Sequence, residues 1–236
     1  MCGTDGGTAT VGIKLGKMLH EAIHDAYVVE ATGWAVEQVT RVANRLQADV
    51  EERERLLVEV PWIERSTAFA APGRYIYVSR RLLEICRTDE AVAFVIAHEL
   101  AHHRLGHLET LPDWMADIPG SQIPFLLQGL YRNIEARLYG PEAEVEADLL
   151  AIDLCIKAGY DAKKCLEIFD TLERIALDMR DVDIVFGPDE ADDELDKDAS
   201  LSTKLRIWLW QRTRGYLPLR DRRHEILRHL EEGTAA

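Results

Sequence analysis

Residues Ala91 to His107 read AVAFVIAHELAHHRLGH, an apolar run leading straight into His98-Glu99-Leu100-Ala101-His102. On a helix, positions four apart share a face, offset by about 40° at 3.6 residues per turn. The stretch therefore aims two imidazoles, His98 and His102, at one point, with Glu99 beside them. Two neutral histidines and an adjacent carboxylate are the donor and base types that a hydrolytic zinc ion needs. The flanks favour a helix: Thr88-Asp89-Glu90 offers a cap and an acidic first turn, Arg104 a basic last turn, and Gly106 a stop. An unpaired polar ring inside so apolar a helix is costly, which favours a metal site over structural histidines.

The same pattern occurs once more, at His20-Glu21-Ala22-Ile23-His24. It lacks the apolar lead-in, and Lys17 and Asp25 suggest a solvated face. His224 and His229 are five apart and diverge on a helix. A third ligand must discriminate. The layout H-E-x-x-H-x-x-G-x-x-H fails, because its last two positions are Leu105 and Leu108. A carboxylate from a separate helix fits better. Gly140-Pro141-Glu142-Ala143-Glu144-Val145-Glu146-Ala147-Asp148 opens a helical pattern that runs to Gly159, with Pro and acids first and Gly last. Glu144 and Asp148 share a face, so Glu144 suits a metal and Asp148 a histidine's other ring nitrogen. Glu142 and Glu146 form a rival pair with no aspartate at the matching offset.

HELAHHRLGH followed by EVEADLLAIDL resembles the gluzincin zinc metallopeptidases of the HtpX and CAAX-prenyl-protease type, including their soluble bacterial branch. Thr67 to Ser79, TAFAAPGRYIYVS, is similar to that family's N-A-F-A-x-P-G-G-x-I-x-V-T segment. The resemblance covers roughly Val39 to Tyr160. It implies zinc on His98, His102 and Glu144, one ion per chain, with Glu99 as general base and Asp148 and His107 as supporting residues. It also implies a strand whose free edge lines the cleft and receives an extended peptide; that role falls to Arg74, Tyr75, Ile76, Tyr77 and Val78. Two departures stand out. Thr67 replaces the usual Asn, and Ser200, before Arg206-Ile207, stands where many relatives carry a histidine that stabilises the oxyanion. Loss of one such donor typically costs about 10²–10³ in kcat. The expected activity is a zinc-dependent endopeptidase acting on peptide or protein substrates. The alternative is a zinc-binding, protease-like module with little turnover.

The rest of the chain sets bounds. Its 236 residues suit one domain, and a net charge of −14 argues against general nucleic-acid binding. No run of eighteen apolar residues predicts a membrane span. The first residues lack a charged-then-apolar signal pattern, so a cytoplasmic protein is expected, with Cys86, Cys155 and Cys165 as buried free thiols and a Cys155–Cys165 disulfide as the alternative. The expected class is α+β: a mostly helical zincin-like metallopeptidase domain with a small sheet. Residues 1–12 read as disordered, and 13–236 as one domain. Within it, 13–57 form helices (Ile13–Val29 and Trp34–Leu57), 58–160 the catalytic core, and 161–236 C-terminal helices with an acidic loop at 189–198. Ile123 to Leu130 reads as a lid or contact surface, and Tyr131 and Tyr139 as phenolic donors.

Overall fold

The computed structural model describes residues 5–110, 140–179 and 218–234. Helix α1 (Asp5–Ala26) is followed by strand β1 (Val29–Glu30), helix α2 (Trp34–Leu46), and strands β2 (Leu57–Pro61), β3 (Ala68–Ala71) and β4 (Tyr75–Val78). Helix α3 (Arg80–Ile85) leads into α4 (Asp89–Arg104), then come α5 (Pro141–Lys157), α6 (Ala162–Met179) and α7 (Leu219–Thr234). The class is α+β, mostly helical around one small sheet.

Helix α4 is the axis of the molecule. Thr88 caps it, its Oγ1 accepting the Ala91 N–H at 3.2 Å, and Gly106 ends it at φ 71°. From Ala91 to Ala97 every residue is buried, because the helix packs on the sheet through β3 and β4 and on α2, α5 and α6. Phe94 meets Phe169 of α6 edge-on, with ring centroids 5.4 Å apart. A helix enclosed this way needs apolar residues around its whole circumference, which explains the unbroken apolar lead-in.

The sheet order is β1-β2-β4-β3. Strand β4 lies parallel to β2, with Val58 opposite Ile76, and antiparallel to β3, with Phe69 opposite Tyr77. This corrects the expectation for Arg74 to Val78. A strand paired on both sides has no free edge, so Tyr75, Ile76, Tyr77 and Val78 cannot add a peptide strand. The outer strand beside α4 is β3, and among the described residues no strand pairs with its far side. Arg74 is directed elsewhere: it sits at φ 82°, and its guanidinium donates to the carbonyls of Arg53 and Arg55.

Two helix boundaries also differ. Helix α2 ends at Leu46, well short of Leu57, because the Gln47 side chain turns to the backbone of Leu56. It accepts the Leu56 N–H at 2.7 Å and donates to the Leu56 carbonyl at 3.2 Å, closing the loop before β2. Helix α1 begins at Asp5, inside the stretch expected to be disordered. Its Gly12 and Gly16 lie against Pro72, a tertiary contact that local composition does not reveal.

Candidate metal centre

Helix α4 supplies His98 and His102 one turn apart, and α5 brings Glu144 to them. His98 Nε2 and His102 Nε2 are 3.0 Å apart. Glu144 Oε2 lies 3.5 Å from the first and Oε1 3.6 Å from the second. One ligand-type atom from each residue falls within 4.8 Å of the other two. Of the acids that open α5, Glu144 is the one turned inward. Glu142 does not join the group, and Glu146 faces His107 at 3.3 Å.

Each imidazole is backed on its other nitrogen. His98 Nδ1 lies 3.0 Å from Asp148 Oδ1, although off the line of a well-aligned hydrogen bond. His102 Nδ1 is 2.9 Å from His107 Nδ1, whose Nε2 in turn faces Glu146. One assignment of protons satisfies that chain. Glu146 accepts from His107 Nε2–H, and His107 Nδ1 accepts from His102 Nδ1–H, which leaves the His102 Nε2 lone pair aimed at Glu144. Histidine ligands to metals are oriented by outer partners of this kind.

Electrostatics support a cation between these groups. Burial works against charge on His98, but Asp148 and Glu144 outweigh it and hold its pKa up at about 9. Burial likewise opposes ionised Glu144, yet His98, Arg222 and His102 bring it far below the ordinary carboxylate range. His102 is driven the other way, chiefly by burial, and stays neutral. A buried anion thus faces one ring that holds a proton and one that holds a lone pair. Two imidazoles and a carboxylate converging at these distances are a donor set that fits zinc.

Glu99 is buried on α4, next in sequence to His98. Burial is the largest influence on it and raises its pKa to about 7, partly opposed by His98 and by a hydrogen bond from the Ala70 N–H. That bond comes from β3, so the outer strand and the carboxylate are neighbours. One residue of the centre lies outside every motif in the sequence. Arg222 of α7, 5% exposed, forks onto both oxygens of Asp148 and reaches Glu144 Oε2 at 3.4 Å. Its only sequence signal is spacing: it lies four residues before the fully buried Ile226 and shares that inward face. The expectations for Ser200, Arg206, Tyr131, Tyr139, the 123–130 segment and the 189–198 loop lie outside the described residues.

Residues 30–116 match the peptidase family M48. That stretch holds the sheet, α4 and both histidines; Glu144 lies beyond it and is brought in by the fold. The chain is also similar to mitochondrial metalloendopeptidase OMA1 of Arabidopsis thaliana, 30% identical over 132 residues, which are 53% of this chain and 27% of that protein. It is similar to mitochondrial metalloendopeptidase OMA1 of Saccharomyces cerevisiae, 24% identical over 124 residues, 48% of this chain and 35% of that protein. The chain thus matches about a third or less of the length of these relatives. The likeness to family M48 rests on residues 30–116, and that to the two relatives on about half of this chain. Among the described residues, no helix is long and apolar enough to cross a membrane.

Proposed function

We propose that this protein is a zinc-dependent metalloendopeptidase. The observation that carries the reading is the convergence of His98, His102 and Glu144, from two separate helices, beside a buried Glu99. Finer placement in the HtpX and CAAX-prenyl-protease branch rests on the quoted motifs alone.

A zinc ion held by His98, His102 and Glu144 supplies Lewis-acid polarisation of a carbonyl and lowers the pKa of a water to about 7. The chain's own groups do the rest. Glu99 takes a proton from the attacking water and delivers it to the leaving amine; a carboxylate whose pKa sits near neutrality suits both transfers. Asp148 and His107 keep the two rings turned toward Glu144, and Arg222 balances the buried negative charge. An extended peptide is best received by the outer edge of β3. Added there, it pairs through main-chain hydrogen bonds and lies next to Glu99.

The test is cleavage of casein or a fluorogenic peptide, with and without chelator, by wild type and Glu99→Gln. Turnover that chelator abolishes and zinc restores, together with a Glu99→Gln protein that keeps its metal but does not cleave, is the expected result. Full activity in Glu99→Gln removes the mechanism.

A further inference from the structure

The second H-E-x-x-H, at residues 20–24, is not wholly solvated as its flanking charges imply: His20 is half-buried, while His24 stays partly exposed. His20 and His24 turn toward the sheet, where Glu59 of β2 meets them. Glu59 Oε2 lies 3.1 Å from His24 Nε2 and 3.5 Å from His20 Nδ1. Besides the α4–α5 centre, this is a second place among the described residues where two histidines and a carboxylate bring ligand atoms within 4.8 Å of one another. We propose that His20, His24 and Glu59 form a second divalent-metal site, structural in kind, that fastens α1 to the sheet.

The geometry and the donors agree. Metal–nitrogen and metal–oxygen bonds of about 2.0–2.2 Å place the donors of a tetrahedral site roughly 3.4 Å apart, close to the 3.5 and 3.1 Å that separate Glu59 Oε2 from His20 and His24. Two imidazoles and one carboxylate suit zinc and the neighbouring transition metals rather than calcium or magnesium. The Tyr77 hydroxyl hydrogen-bonds His20 Nδ1 at 2.8 Å and Tyr75 stacks on the His20 ring at 4.3 Å between centroids, so the ring is held in place against the sheet. The Glu59 side chain is 17% exposed, so it is not a loose surface acid.

The glutamate inside the motif separates this site from a hydrolytic one. Glu21 is 61% exposed and pairs with Lys17 on the outer face, which leaves the cluster without a base. What it joins is informative. Helix α1 precedes the sheet in sequence and lies across the Pro72 turn that links β3 to β4, with Gly16 against the Pro72 carbonyl. A metal here ties that helix to β2 and so steadies the hairpin that carries the cleft strand.

Equilibrium dialysis of metal-stripped protein against Zn²⁺ tests this. Wild type is expected to bind two equivalents per chain, and His24→Ala and Glu59→Gln one each. The His24 side chain is 42% exposed, so its replacement leaves the fold intact. In the His98→Ala background, added Zn²⁺ should still raise Tm, and adding His24→Ala should abolish that rise. Wild type that saturates at one equivalent, or a His24→Ala protein that still binds two, overturns the proposal.

Discussion

Arg222 shows what a single residue does at this centre. Asp148 is fully buried, and although burial opposes its charge, Arg222 and His98 keep it ionised. Removal of the guanidinium leaves buried carboxylates without their counter-charge, a change that typically costs about 3–5 kcal/mol. Urea unfolding of Arg222→Ala should show a loss of that size, with Arg222→Lys in between because an ammonium cannot fork onto both oxygens. A loss below about 1 kcal/mol contradicts the assignment. Asp148→Asn keeps the shape but weakens the hold on His98, so zinc affinity should fall about 10- to 100-fold in a competition titration, and unchanged affinity argues against the role. His98, Glu99, His102 and Glu144 were legible because their spacing on helices fixes which face they share. Arg222 was not, because its partners are 74 and 78 positions away and nothing local ties them together.

At the scale of elements, the sequence announced what begins and ends each helix more clearly than which strands pair. The Thr88 cap, the Gly106 stop and Pro141 at the start of α5 all lie where the residue types predict. The mistaken edge role of Tyr75 to Val78 has a different origin: alternation identifies a strand but carries no information on its neighbours. Arg74 offers a test of the β3–β4 turn. It holds a left-handed conformation where the resembling segment has glycine, and two carbonyl bonds from its own side chain compensate. Arg74→Ala should lose about 1–2 kcal/mol, whereas Arg74→Gly, which removes the strain along with the bonds, should lose less. Equal losses contradict this account. A second test concerns the start of α4. Arg41 and then Gln38 hydrogen-bond Asp89 and hold its carboxyl below the ordinary range, against a partial opposing effect of burial. A depressed folded pKa stabilises above the unfolded value of about 4 and loses that contribution as pH falls through the folded value. The stability gap between wild type and Asp89→Ala, roughly 0.5 kcal/mol for a half-exposed pair, should therefore be present at pH 7 and shrink below pH 4. A gap independent of pH contradicts the assignment.

For the molecule as a whole, α4 lies between a four-stranded sheet and the helices α5 and α6, so the same helix is both the core and the carrier of the site. An apolar circumference demands layers on every side of α4, but the α+β class itself was legible only through the family resemblance that its two histidines and the later EVEADLLAIDL carry. The three described cysteines are buried free thiols, as expected, and play no part in the centre. The claim on which the account rests is that His98, His102 and Glu144 hold one zinc ion together. Metal analysis of purified wild type beside His98→Ala and Glu144→Ala measures it directly. Each variant, folded by circular dichroism, should contain one equivalent less than wild type and show no chelator-sensitive cleavage; wild-type metal content in either one contradicts the account.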